Sequence, residues 1–591
     1  MFKLLKNMRG REIAMAAVCL LFVVGQVYFD LLLPDYMTEL TTLIKTSGTT
    51  KAIANVGLKM LGCTLISAAL AIVCGYLAAR TASGFSFTVR EKLFYHVVDL
   101  GKEEMQAFSV PSLITRTTND ITQIQMIVAM GLQMLIKAPI MAVWAIIKIL
   151  GKSWELSAVT AGFVLAICVT VFLVMATCIP RYRKVQKMTD KINRVARENL
   201  TGINVVHAFN AEEYQNKKFD APSKEMTDLQ MKNQKLFSLV QPTMSLGMSG
   251  LTLAIYWLGA ALINNIAVTD AAGRIAMFSE ILAFSTYATY IVMSFMMLVM
   301  IFMLVPQAQV SAERINEVLD KDVSIKGGAT KEGMETGSVE FRNVSFRYPG
   351  SGENELSGIN FKVNKGETLA IIGATGSGKT TLVGLIPRQY DASEGEVLID
   401  GVNVKEYDEN SLYDKIGYVT QKAVLFSGTI EDNVFFGESG APQDEENLRT
   451  ALETSQAAEF VDKLPEREEH RIAQLGRNVS GGQKQRISIA RALARKPEIL
   501  VFDDSFSALD YRTDAMVRKE LAEKFKDTTK IIVAQRVGTI RHADKIIVLE
   551  RGEIAGEGTH EELMASCEVY REIAQSQLSA AEIGLRGGRQ R

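Results

Sequence analysis

Cysteine is scarce in this chain of 591 residues: Cys19, Cys63, Cys74, Cys168, Cys178 and Cys567 are scattered without pairing or metal-ligand spacing. That excludes a disulfide framework and a cysteine zinc site, and the six read as reduced packing residues. An excess of one charge is also missing. With 65 basic and 66 acidic residues the net charge is -1, so no global basic field points to nucleic acid. No A-x-A cleavage site follows the first apolar run, which is too long for a signal-peptide core, so that run is an anchor.

What is present is long apolar sequence. The mean hydropathy of +0.11 averages an apolar first half with an ordinary soluble second half, and the length allows two substantial domains. Against the roughly 20 residues needed to cross a bilayer, six spans stand out: Ile13–Leu33, Val56–Ala79, Ile127–Leu150, Leu156–Ile179, Pro242–Ala267 and Ile281–Val305. Lys3, Lys6, Arg9 and Arg11 precede the first, and Arg181–Arg197 carries seven basic residues. The opposite connections, near Pro34–Thr50, Gly151–Glu155 and Val268–Glu280, hold few, which places both termini in the cytoplasm. The two inner connections, roughly 45 and 60 residues, are far longer than helix-to-helix loops. They are charged, periodic and poor in glycine, so they read as helical arms. Arms of some 20 to 25 residues would reach roughly 30 to 35 Å from the bilayer at about 1.5 Å per residue.

The second half carries phosphate chemistry. Gly373–Thr380, GATGSGKT, follows the apolar run Thr368–Ile372 and fits G-x-x-x-x-G-K-[ST]. Gly373, Gly376 and Gly378 let backbone N–H groups turn inward around phosphates, Lys379 reaches the β and γ oxygens, and the Thr380 hydroxyl ligates Mg2+. The helix opening at Lys379 adds its positive end to the same anion site. Ile499–Asp510, ILVFDDSFSALD, reads as the strand that delivers Asp503 to the metal, normally followed by a Glu that polarises the attacking water. Here Asp504 stands in that place, one methylene shorter and so about 1 to 1.5 Å short of that water. A misplacement of about 1 Å costs on the order of 100-fold in rate. Gln535, in VAQR, occupies a position where a histidine ordinarily sits over the γ-phosphate. The pattern binds ATP and cleaves it poorly.

A third element, Asn478–Arg486, NVSGGQKQR, offers a second anion-binding helix start: Ser480 as N-cap, Gly481 and Gly482 with bare N–H groups, and a helix from Gln483 to Arg495 ending before Pro497. One nucleotide needs one cradle, so the second suits the nucleotide of another subunit. With these three elements, the chain from about Gly337 to Gln577 resembles the ATP-binding cassette (ABC) transporters, whose nucleotide domains dimerise head to tail with each ATP between one phosphate loop and the opposing SGGQ. The resemblance implies a membrane α-helical domain of six transmembrane helices with long cytoplasmic extensions (the exporter fold called type IV or type I), then an α/β P-loop nucleotide-binding domain. It implies ATP and Mg2+ bound by Tyr348 (stacked on adenine), Gly373, Thr375, Gly376, Ser377, Gly378, Lys379, Thr380, Thr381, Gln421 (on Mg2+, sensing the membrane domain), Ser480, Gly481, Gly482, Gln483 and Asp510. Thr380, Gln421 and Asp503 would hold the metal, and Asp504 and Gln535 occupy the catalytic positions. Gln474 stands where many relatives have a Glu and carries no argument.

In the exporter branch the arm tips dock on the nucleotide domains; by position they fall near Met105–Leu113 and Ala208–Tyr214, with Phe209 as a knob. The expected divisions are 1–320 transmembrane, 321–337 linker, 338–577 nucleotide-binding and 578–591 a frayed tail. The Asp504 and Gln535 pair further resembles the impaired-site subunit of heterodimeric bacterial exporters of the multidrug type, in a bacterial cell membrane. That implies a second half-transporter supplying the competent Glu and His, a hydrophobic or amphipathic cargo, contact with membrane lipid and no nucleic acid. A homodimeric exporter with Asp504 as a slow base and an ATP-sensing membrane regulator remain as alternatives. For the cargo the residues leave choices open. Asp30 is either functional or at the headgroup level, and Lys137 either lines a cavity or snorkels to the cytoplasmic interface. Met293, Met296, Met297, Met300 and Met303 share one helical face, which suits helix packing or a promiscuous apolar surface.

Overall fold

A computed structural model describes residues 1–578 except 47, 151 and 438, and all their side chains save those of Phe2, Met175, Ile179, Tyr182, Arg183, Gln186, Phe302 and Met303. The expected tail thus lies, apart from Leu578, outside the described residues. The chain forms two compact units. One comprises Met1–Val98 and Val110–Lys321; the other joins Asp99–Ser109 to the residues from Asp322 onward.

The first unit is helical and holds, among the described residues, six helices long and apolar enough to cross a membrane. They run well past the hydrophobic stretches. Gly10–Lys45 passes through Pro34, Thr50–Asp99 carries the second span into its arm, and the third is interrupted by π-helical turns at Arg116–Asp120 and Gly131–Leu135. Trp154–Thr201 carries the fourth, Val240–Asn265 the fifth, and Ala271–Leu319 the sixth. Two outer connections are therefore shorter than expected. Helix continues from Pro34 to Lys45 and begins again at Ala271, where Asp270 caps it through Gly273 N. The six cysteines are free thiols, five of them buried, which fits their expected packing role.

Asp30 and Lys137 are not lone charges at an interface. Lys137 Nζ lies 3.1 Å from Asp30 Oδ2, with the side chains 18% and 19% exposed, and Ser67 Oγ donates to the other carboxylate oxygen. Snorkelling loses to pairing because a four-fifths buried ammonium is stabilised by a carboxylate within reach. A second cluster, not anticipated, ties three spans: Asp35 accepts from Lys148 and, at 2.6 Å, from Tyr287 Oη, which is fully buried.

In the second unit, the core is a six-stranded sheet ordered Glu553–Gly558, Lys545–Glu550, Thr368–Ile372, Thr529–Val533, Ile499–Asp503, Ile416–Val419. All neighbours are parallel except the edge pair Lys545–Glu550 with Glu553–Gly558. Continuous apolar runs such as ILVF in Ile499–Asp503 form its centre because both faces are covered. An antiparallel sheet led by Val339–Phe346 and Leu356–Val363 stands beside it. Residues 328–335, in the expected linker, lace along this unit: Gly328 N donates to Tyr407 O, Thr330 N to Glu406 O and Met334 N to Asp400 O. The first arm contributes the helix Lys102–Ala107 to the same unit, where Lys102 Nζ donates to Gln389 Oε1, Gln106 Nε2 to Tyr390 Oη, and Ser324 N to Glu104 Oε1.

Candidate functional site

Strand Thr368–Ile372 ends at the loop Gly373–Gly378, and helix Lys379–Gly384 follows. The loop needs its glycines. A Cβ at Gly373 would stand 2.1 Å from Leu549 O, and Gly376 and Gly378 hold φ of +82° and +94°, where only glycine rests without strain. Lys379 folds over this loop, its ammonium donating to Gly373 O at 2.9 Å and Ala374 O at 2.7 Å. Burial lowers its pKa against the opposing pull of Asp504 and Asp503.

Thr380 Oγ1 donates to Asp503 Oδ1 at 2.9 Å, and Tyr418 Oη donates to Oδ2 at 3.4 Å. Asp503 is 3% exposed, and that burial pushes its carboxyl above the ordinary range although both hydroxyls oppose the shift. A hydroxyl, a carboxylate and the amide oxygen of Gln421 are hard oxygen donors of the kind Mg2+ takes. Asp504, at φ +49°, is turned into the same cleft. Its Oδ2 accepts from Gln535 Nε2 at 2.7 Å and from Gln421 Nε2 at 3.1 Å.

The cleft, about 200 Å³, brings together Thr375, Gly376, Gly378, Lys379, Thr380, Thr381, Gln421, Asp504 and Gln535 from four separate stretches of chain. Tyr348 is joined to it, its Oη 2.9 Å from Thr381 Oγ1 and its ring edge-on to Phe346 and Tyr390. Ser377 is buried beneath the loop. The remaining predicted residues lie elsewhere. Ser480 caps helix Gly481–Ala494 in a reciprocal box with Gln483 (Ser480 N to Gln483 Oε1, 2.8 Å), so the helix starts two residues before its expected first residue. Asp510 caps helix Tyr511–Lys524 through Thr513. A Cβ on Gly481 would meet nothing within 4 Å, and neither Gly481 nor Gly482 has a positive φ. Local folding therefore does not demand glycine at either position. Tyr418 was missed, although its place next to the end of the strand Ile416–Val419, three residues before Gln421, was a signal.

Two family models cover most of the chain: "ABC transporter transmembrane region" over residues 15–295 and "ABC transporter" over 356–507. The chain belongs to the ABC transporter family. It is 37% identical over 564 residues to an uncharacterized ABC transporter ATP-binding protein of Mycobacterium tuberculosis, covering 94% of both chains. It is 31% identical to the ATP-dependent lipid A-core flippase of Aromatoleum aromaticum, over 83% of this chain and 80% of that one. Its fold matches a bacterial Atm1-family ABC exporter with ATP bound, at a TM-score of 0.76 and 23% identity, over 96% of this chain and 98% of that one. This ABC protein thus has the fold of that exporter: a multi-pass membrane domain, with six apolar helices among the described residues, followed by an ABC ATPase domain.

Proposed function

We propose that this chain is the ATP-binding, weakly hydrolysing half of a heterodimeric bacterial exporter, with both termini cytoplasmic and a hydrophobic or amphipathic cargo. One observation carries the reading: Asp504, already a methylene short, has a single carboxylate oxygen occupied by two amide donors, Gln535 and Gln421. A general base needs a free lone pair aimed at the attacking water. Neither amide can take up a proton, and both tether the short carboxylate to its own side of the cleft, so the cleft grips phosphates with a poorly placed base.

In this mechanism the Gly373–Gly378 amides and Lys379 bind the phosphates of ATP, and Tyr348 stacks on adenine. Bound Mg2+, held by Thr380, Asp503 and Gln421, supplies positive charge to the phosphate oxygens. The bare helix start at Ser480–Gln483, with Asp510 beside it in the partner-facing loop, completes the competent site of a second half-transporter. What supports that part is glycine at two positions where a side chain would fit, which leaves backbone N–H groups approachable. Hydrolysis on the partner then resets the pump. The two exposed arm features, Phe209 at 79% exposure and the helix Lys102–Ala107, transmit closure.

The test is ATPase and transport by the purified chain, alone and with the product of a neighbouring reading frame. Near-silence alone and turnover with the partner are expected. Brisk turnover by the lone chain would instead identify a homodimer with Asp504 as slow base, and none in any pairing a sensing regulator. Asp504→Glu with Gln535→His should raise turnover at this chain's own site by about 100-fold, the reverse of a misplacement of about 1 Å. No gain would refute the placement of the defect.

A further inference from the structure

The helices of the membrane unit leave two cavities along one line of the fifth helix and the arm leading into it. The inner one, about 370 Å³, is lined by Thr227, Gln230, Met231, Asn233 and Gln234. The next, about 320 Å³, begins one turn further along with Phe237, Val240 and Met244, and is closed by Met293, Met296, Met297 and Met300 of the sixth helix. Residues 230, 234, 237, 241 and 244 recur at three- and four-residue steps and so lie on one side of the two helices Glu212–Phe237 and Val240–Asn265, which the right-handed turn at Ser238 and Leu239 joins. Their polarity changes along it: amides first, then thioethers and aliphatics.

Asn233 sets the polar end apart. It is 3% exposed, and neither its amide nitrogen nor its amide oxygen has a hydrogen-bond partner. Leaving a buried donor and a buried acceptor unpaired costs about 1 to 3 kcal/mol each, so the side chain is poised for a group that supplies both. A secondary amide does so in one plane. At the other end, methionine adapts to apolar bodies of varied shape. Met134, on the π-helical turn Gly131–Leu135, adds to that wall; such turns recur at functional sites. From Asn233 to Met244 the two helices rise roughly 16 Å, and each volume by itself falls within the range of about 300 to 1,000 Å³ usual for ligand sites.

We infer that Asn233 and the methionine-lined cavity form one cargo site for an amphiphile with an amide-bearing head and a flexible apolar tail, the head on Asn233 and the tail against Met244, Met293 and Met297. This rests on the export reading above but not on its asymmetric nucleotide sites.

Binding to the full-length chain in lipid nanodiscs, without ATP, tests it. The probes are N-dodecanoyl-glycylglycinamide, dodecyltrimethylammonium with the same tail, and glycylglycinamide alone. The acylated peptide should bind at least tenfold tighter than either of the others. Asn233→Leu should weaken the acylated peptide about tenfold and leave dodecyltrimethylammonium unchanged, while Met244→Trp, which fills the apolar cavity, should weaken both tailed probes. A parent-like thermal unfolding of the membrane unit, followed with a thiol-reactive dye, reports intact folding of each variant, and Asn233→Gln, which keeps an amide, should recover part of the affinity lost in Asn233→Leu. Equal binding of the two tailed probes, or indifference to both Asn233 variants, overturns the proposal. Because the readout is binding without turnover, its failure is distinct from a failure of the ATPase reading.

Discussion

Lys137→Met is expected to destabilise the membrane unit by more than any exposed substitution, because it strands Asp30. The two side chains are each about four-fifths buried and 3.1 Å apart, and only Ser67 would remain as a donor to the carboxylate. Removing one member of a buried ion pair typically costs about 3 to 5 kcal/mol, whereas replacing both is close to neutral or stabilising. The surviving Ser67 contact places Lys137→Met near 3 kcal/mol, and Asp30→Asn combined with Lys137→Met within about 1 kcal/mol of the parent. Thermal unfolding followed with a thiol-reactive dye reads this directly, since the buried cysteines Cys19, Cys63, Cys74 and Cys178 become reactive as the helices separate. At about 2 °C per kcal/mol for a unit of this size, the single variant should melt roughly 6 °C lower and the double variant within about 2 °C. The exposed Lys51→Met serves as the control. A Lys137→Met protein as stable as the control, or a double variant less stable than the single, would refute the pairing argument.

Asp503 should make Mg2+ binding sensitive to mild acid. Its carboxyl is raised by burial, and the metal needs the deprotonated form, so affinity should fall as pH drops through a value above the ordinary carboxylate range, read by Mn2+ titration in the presence of ATP. Gly373→Ala should abolish nucleotide binding in an equilibrium assay, since the added methyl would meet Leu549 O at 2.1 Å, and backbone cannot yield as a side-chain tip can. Tyr348→Ala should weaken ATP by about 1 to 2 kcal/mol through lost base stacking, with a smaller effect on inorganic pyrophosphate. Ser480→Ala should cost about 1 kcal/mol in stability through the lost cap, a loss measurable in urea melts.

Much of this was legible in the sequence because the signals are local. Twenty apolar residues fix a span whatever surrounds them, and GATGSGKT carries its own backbone geometry. The long-range pairings were not legible. Asp30 and Lys137 are 107 positions apart, and hydropathy gives no register between spans, so each was weighed alone. The same holds at the cleft. That Asp504 is short could be read from one residue, but that Gln421 and Gln535 converge on one of its oxygens depends on the order of strands Ile416–Val419, Ile499–Asp503 and Thr529–Val533 in the sheet. Helix ends were overrun for a related reason: Pro34 removes one hydrogen bond but does not stop a helix flanked by good helix formers. The methionine face was visible by spacing, yet whether it packed or lined space depended on neighbours from three other helices; it lines a cavity at Met293, Met296, Met297 and Met300, and the Met303 side chain lies outside the described residues.

The helix Lys102–Ala107 belongs structurally with residues that follow it by more than two hundred positions. A gene fragment starting at Asp322 would therefore encode an ATPase missing one of its own pieces, with Tyr390, Gln389 and Ser324 stripped of their partners. Recombination between paralogues at the obvious junction would leave the same mismatch, so these two halves are constrained to drift together.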